Sequence, residues 1–278
     1  MAVVRTPTHN STMVTILPEE QAPRMTLAAI KEIEESKCEK IILYGSEGWG
    51  KTTWAAGAEK PIFLSTEGGL KSVTGVLAFP EAKKWEDLLE AVNTLRVESH
   101  EFKTLVVDTA DWTEQLCHAY ICERDCKDSL IDYGYNHGPH IAFDEWKKLI
   151  NMLDHLQTEK EMHVIFLAHA DVKTFKNPLG EDYDRYQMKM HSYISKLLTE
   201  WADCVLFGTY NVSVAVKRNR KGEAVGKAKA YGSDERIIHA THNAAWDAKN
   251  RYHISSPIAA PINNSALPFW KIVKENKK

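Results

Sequence analysis

The sequence predicts an α/β fold: a mainly parallel sheet with helices on both faces and an antiparallel β extension at its C-terminal edge. Three observations carry this. Short, nearly continuous apolar runs at 41–44, 61–65, 104–107 and 163–168 alternate with stretches of helical spacing. Strands that are apolar on both faces belong to parallel sheets covered on both sides. After residue 203 the pattern changes, and 211–217, the turn-rich NRKGEAVG and 236–241 read as a β-meander closing one edge. Finally, the loop after the first run places three glycines in six positions directly before a helix.

The elements follow in order. Residues 1–24 hold three prolines and many small polar residues and read as an arm. Residues 25–36 (MTLAAIKEIEES) read as a short amphipathic helix. Its Leu27 and Ile30 either dock on a neighbouring subunit or cover the chain's own core, and the second is favoured. The strand 41–44 precedes a helix starting at Gly50, and 61–65 is the next strand. Leu88, Leu89, Val92 and Leu95 give 85–97 helical spacing. The strand 104–107 ends in a charge and is followed by a helix over 112–126. The helix 142–157 gathers Phe143, Trp146, Leu149, Ile150, Leu153 and Leu156 on one face. Strand 163–168, helix 190–201 and strand 203–210 complete the core. The organisation expected is an arm and short helix (1–37), one core (38–257) and a tail (258–278), with no second domain.

Composition limits the function classes. The chain has 278 residues, 44% of them hydrophobic and 26% charged, and a net charge of -3. A protein that coats nucleic acid with its whole surface is more basic, so any such contact is local. No apolar run reaches membrane-spanning length, and the N-terminus has no signal-peptide core. Five cysteines, an odd number without a secretory signal, predict reduced thiols and a cytoplasmic location.

The glycine-rich loop Gly45-Ser46-Glu47-Gly48-Trp49-Gly50-Lys51-Thr52, followed by Thr53, fits G-x-x-x-x-G-K-[ST] in full and lies between a strand and a helix. Small residues let the backbone wrap a phosphate with its N–H groups pointing inward, and the helix N-terminus adds partial positive charge. ATP and Mg²⁺ are the expected cofactors: Lys51 reaches the β- and γ-phosphates and Thr52 places a hydroxyl on Mg²⁺. Trp49 either shields the phosphates or simply packs. Asp108, ending a buried strand, is the second Mg²⁺ candidate, and stands next to the P-loop if the two strands are neighbours; otherwise it caps the next helix. Thr109 occupies the place where many ATPases carry a glutamate, so a catalytic base comes from elsewhere. Glu67, at the end of strand 61–65 and before two glycines, can hold the attacking water or be a solvated loop acid. His169, after the strand 163–168, can sense the γ-phosphate or serve as a structural hydrogen-bonder.

These pieces, in this order, resemble the RecA-like ATPases, RecA and RadA among them. Ala248-Lys249-Asn250-Arg251-Tyr252 looks like the KNRFG motif of RadA, with Tyr for Phe and His253 for Gly. The layout from 38 to about 257 is closer still to the phage single-strand annealing ATPases of the Sak-four type, through STEGGL (65–70), YDRY (183–186), EWADCVLF (200–207) and AKNR (248–251). The resemblance implies a RecA-like P-loop NTPase that hydrolyses ATP, stimulated by single-stranded DNA, and promotes annealing or strand pairing in phage recombination. It implies catalytic roles for Lys51, Glu67, Asp108 and His169, and action of Lys249 and Arg251 on the ATP of a neighbouring subunit, hence a ring or filament. It also implies a host-cytoplasm location and a single-stranded-DNA-binding protein as partner. Alternatives are a helicase- or loader-type motor and a nucleotide-dependent assembly module with little turnover.

In such filaments two loops face DNA. Here they are 127–140, offering Tyr133, Tyr135 and His137, and 170–188, offering Lys173, Phe175, Lys176, Arg185 and Tyr186. Cations track phosphates and rings stack on bases, though Glu181, Asp182 and Asp184 also lie in the second loop. The basic run Lys217–Lys221 is a further phosphate contact or a solvated turn. Cys122, Cys126, His137 and His140 have the ligand types for zinc at a spacing that fits common sites poorly; buried thiols and loop histidines are the alternative.

Overall fold

The computed structural model describes residues 38–135, 137–215, 229–261 and 266–276, with 26, 27, 30 and 32 near the N-terminus. The arm 1–24, most of 25–36 and the basic run Lys217–Lys221 lie outside the described residues. The chain divides into two units, Met1–Ser36 and Lys37–Lys278. In the first, Leu27 and Ile30 are exposed, so neither covers a core as favoured from sequence.

The second unit is built on a sheet whose strands β1 (Lys40–Gly45), β2 (Pro61–Ser65), β3 (Leu77–Ala78), β4 (Thr104–Asp108), β5 (His163–Phe175) and β7 (Cys204–Ala215) run parallel, in the order β7-β1-β5-β4-β2-β3. β8 (Lys229–His239) pairs antiparallel with β7, and β10 (Ile258–Ala259) antiparallel with β8, giving the expected extension. β9 (Lys249–Asn250) adds to the start of β7. This is the predicted mixed α/β arrangement, a P-loop NTPase fold.

The period of two explains why the strands read as unbroken apolar runs. Ile42, Tyr44, Leu105, Val107, Val164 and Phe166 face one layer, with α2 (Trp85–Val97), α3 (Ala110–Arg124), α4 (His137–Lys160) and α5 (Ser192–Trp201). Ile41, Leu43, Phe63, Val106, Ile165 and Leu167 face the other, covered by Trp54 of α1 (Lys51–Ala56) and by α6 (Leu267–Asn276). The segment 258–278, expected as a tail, thus supplies a strand and a covering helix: Phe269 and Val273 are buried, and the Phe269 ring lies 5.6 Å from that of Trp54.

Two expectations about connectivity change. The strands of the glycine loop and of Asp108 are not neighbours, because β5 lies between them and pairs with both. The stretch 170–188 is a hairpin rather than a loop: β5 continues seven residues beyond Ala168 and pairs antiparallel with β6 (Tyr183–Met188). Among the described residues, no helix is long and apolar enough to cross a membrane, and all five cysteines are free thiols.

Candidate nucleotide site

Register brings the site together at one edge. Gly45 pairs with His169, and Asp108 pairs with both Leu167 and Ser65, so the C-terminal ends of β1, β5, β4 and β2 lie side by side. Ligands of open α/β sheets bind at this edge.

The glycine loop is anchored from β7. A Cβ on Gly45 would meet the Gly208 carbonyl oxygen at 2.5 Å, so these two strands require the bare backbone. Trp49 packs rather than shielding phosphates: it is 1% exposed, lies over Gly208, and donates Nε1–H to the Thr209 carbonyl at 2.8 Å. Ser46, Glu47 and Gly48 stay exposed, Gly50 and Thr53 partly so. Gly48 and Gly50 have φ of 71° and 96°, the left-handed region that glycine enters without strain.

Lys51 is 6% exposed, and its ammonium donates to the carbonyls of Gly45 (3.2 Å) and Ser46 (3.1 Å). Burial pulls its pKa down, opposed by the charges of Asp108, Asp111, Glu67 and Glu47. The Thr52 hydroxyl donates to Asp108 Oδ2 at 2.7 Å, so the two residues predicted to hold Mg²⁺ do converge despite the intervening strand. Burial raises the Asp108 carboxyl, with Thr52 and Lys51 acting against it. A buried cation held by loop carbonyls, beside a hydroxyl–carboxylate pair, suits a polyphosphate and a hard oxygen-seeking cation.

Glu67 stands just past β2, half-buried, beside an open cleft of about 190 Å³ lined by Ser65, Gly68, Leu70, Phe79 and Glu81. Burial raises its carboxyl, and Asp108 and Asp111 add to this while His169 and Lys51 oppose it. Lys51, Glu67, Asp108 and His169 therefore share one electrostatic neighbourhood, as the sequence order predicts. Beside them Thr66 ties β2 to β4: its hydroxyl donates to the Thr109 carbonyl and accepts from the Thr109 N–H, each at 3.0 Å.

Sequence reasoning misses Asp111. It is 7% exposed, in the first turn of α3, and accepts two hydrogen bonds from His169: the backbone N–H to Oδ1 at 3.0 Å and the ring Nδ1 to Oδ2 at 2.9 Å. Burial would raise the Asp111 carboxyl, but these bonds outweigh it and hold it below the usual carboxylate range. Its position in the first turn of the helix after Asp108 is a local signal; its partner 58 residues away is not.

The DNA-facing candidates are only partly available. Arg185 is 6% exposed, paired with Asp247 and set over the Phe175 ring. Lys173 folds back to donate to the carbonyls of Met188 (3.0 Å) and Met190 (2.6 Å). The Tyr133 hydroxyl is held within hydrogen-bond reach of Ile121 O and Asp125. Tyr186 stacks on Phe207 at 5.0 Å while remaining 43% exposed. Tyr135, His137 and Lys176 are exposed, Lys176 paired with Asp182 at 2.5 Å, and Phe175 packs on Tyr183. Cys122 is buried and Cys126 exposed, and among the described residues no three His, Cys, Asp or Glu side chains converge as a metal site would need.

Lys249 and Arg251 lie at the other edge of the sheet. Asn250 pairs with Cys204, which pairs with Ile41, four residues before Gly45; at the strand rise that is about 13 Å. Lys249 donates to the carbonyls of Thr199 (2.8 Å) and Glu200 (3.0 Å) at the end of α5, and Arg251 pairs with Asp203 at 2.9 Å.

Glu114 links α3 to the base of the hairpin. Its carboxylate accepts the His191 N–H at 3.0 and 3.1 Å, and burial pushes its pKa from 4.5 up to about 7, against His191 and Lys173. A folded-state pKa above the unfolded one favours folding at low pH, and that advantage is lost as pH rises from about 4.5 to about 7. Glu114→Gln should remove this slope, leaving the variant relatively more stable at pH 8 than at pH 5, by up to ~3 kcal/mol. Urea midpoints at the two pH values measure it; parallel shifts at both would contradict it.

A family profile described as an AAA domain matches residues 37–252. The chain is 27% identical over 149 residues to the SPbeta prophage-derived uncharacterized protein YorG of Bacillus subtilis (strain 168), a match spanning 51% of this chain and 44% of that relative. A solved structure described as that of the RadB recombinase aligns with 72% of this chain and 89% of its own at 14% identity, with a TM-score of 0.37.

Proposed function

The chain belongs to the AAA domain family of P-loop ATPases, and from that premise we propose that it is a RecA-like ATPase of phage origin that binds single-stranded DNA and promotes annealing or strand pairing. One observation carries the coupling of nucleotide to DNA. β5 runs unbroken from the buried sheet through His169, beside Glu67 and Asp108, out to the exposed β5–β6 hairpin. A shift of His169 at the nucleotide edge is therefore transmitted along a paired strand rather than through a slack loop.

In this reading Gly45 to Thr53 cradle the phosphates, and Lys51 meets the β- and γ-phosphate oxygens. Thr52 and Asp108 hold Mg²⁺. The bound metal supplies charge neutralisation at the phosphates. Glu67 holds the attacking water and takes its proton, and His169, steadied by Asp111, senses the γ-phosphate. DNA contacts centre on the exposed Tyr135, His137 and Lys176, with Tyr186 as a stacking ring, rather than on the inward-turned Lys173 and Arg185. The prophage relative supports the phage setting. The placement of Lys249 and Arg251, away from their own chain's loop, supports action on a neighbouring copy in a homo-oligomer.

The test is steady-state ATP hydrolysis with and without single-stranded DNA. Stimulation of severalfold or more is expected. Turnover indifferent to DNA would sink the recombinase reading, and bound but unhydrolysed ATP would favour a nucleotide-dependent assembly module.

A further inference from the structure

The glycine loop touches a cation that no sequence motif marks. Arg236, on β8, is half-buried with its guanidinium against Gly50: a Cβ there would meet Nη1 at 2.6 Å and Cζ at 3.2 Å. Gly50 must therefore be glycine twice over, for its φ of 96° and for the room that Arg236 takes.

The position of Arg236 is fixed by the strand pair that also holds the loop. Arg236 stands opposite Tyr210 in the β7–β8 register. Tyr210 donates its hydroxyl to the Gly48 carbonyl at 3.3 Å, and Thr209 accepts the Trp49 indole. The adjacent Glu235 is occupied by Asn211 at 2.9 Å. Among the described residues, no hydrogen bond or ion pair engages the Arg236 guanidinium. An arginine held against a phosphate-type loop without a carboxylate partner has its five donors available for an anion.

We propose that Arg236 is a second phosphate-binding cation of the nucleotide site, supplied in cis by β8 on the side of the loop away from Glu67 and His169, and that its ligand is the polyphosphate of a nucleoside di- or triphosphate. This rests on the P-loop reading of residues 45–53. It gives the site a cation from its own chain, independent of any neighbour's Lys249 or Arg251.

Calorimetric binding of ATP and of inorganic triphosphate tests the proposal on wild type, Arg236→Ala, Arg236→Lys, Asn211→Ala and Lys51→Ala. Arg236→Ala should weaken both ligands about tenfold, the size of one lost charge-assisted contact. Arg236→Lys should recover part of the loss, since a point charge replaces the fork. Asn211→Ala loosens the same strand pair without removing charge and should bind as wild type. If it weakens binding as much as Arg236→Ala does, the strand pair acts structurally and the proposal is overturned. Wild-type affinity in Arg236→Ala, with binding lost in Lys51→Ala, overturns it while the P-loop reading stands. Wild-type affinity in Lys51→Ala overturns the P-loop reading and this proposal with it. Should Arg236→Ala fail to fold, Arg236→Lys decides: reduced affinity at an unchanged melting temperature supports the proposal, and unchanged affinity overturns it.

Discussion

Lys51→Ala should abolish ATP turnover while leaving the chain folded. The ammonium is buried among four carboxylates that act on it, those of Asp108, Asp111, Glu67 and Glu47. Removing it takes away the cation that offsets these carboxylates, so they repel a phosphate there. Among the described residues its ammonium donates to the Gly45 and Ser46 carbonyls. The loop itself is held by Trp49 and β7, which the substitution does not touch. The expected loss is on the order of 10²–10³ in turnover, the scale of removing a donor aimed at developing charge. A melting curve close to wild type would accompany it. Turnover within tenfold of wild type would refute the assignment of residues 45–53 as the phosphate cradle.

Glu67→Gln should separate binding from chemistry. Glutamine keeps the size and a hydrogen-bonding carbonyl but cannot take a proton. Turnover should fall by ~10²–10⁴, the usual contribution of a positioned general base, with ATP affinity little changed. The wild-type pH profile adds a signature. Burial raises the Glu67 carboxyl, so activity should be lost as pH falls through that raised value, higher than an exposed glutamate would give. Single-turnover rates against pH measure both effects. Unchanged turnover in the variant would move the base to another residue.

What the sequence made legible was local. The glycine loop is contiguous, and its strand-before, helix-after context is readable within twenty residues. Asp108 and Glu67 were legible because an apolar strand that ends in a charge places that charge at the sheet's active edge. What was not legible depends on pairing between distant segments. β5 separates the strands of Gly45 and Asp108, yet Thr52 still reaches Asp108, because the side chain spans what the strand order does not. Asp111 has meaning only once His169 arrives beside it, and Arg236 only once the β7–β8 register sets it on Gly50. Composition proved a poor guide to the hairpin. A lysine or arginine in a polar stretch reads as available, but Lys173 finds two free carbonyls and Arg185 a carboxylate, and both turn inward. The helix over the second face was missed for a different reason: Phe269, Trp270 and Val273 lie at helical spacing, but a short segment after the last strong strand has nothing in its own sequence to say that a sheet awaits it.

That covering helix bears on biosynthesis. During translation every described strand of the sheet leaves the ribosome before Phe269 does, so until that segment emerges Trp54 and the apolar face beside it face water, or a chaperone. The first helix of the nucleotide site is thus completed by a segment synthesised long after it. A chain interrupted before α6 would carry its whole phosphate-binding motif and still lack the packing that seats it, which ties assembly of the site to the emergence of that helix rather than to the motif's own earlier appearance.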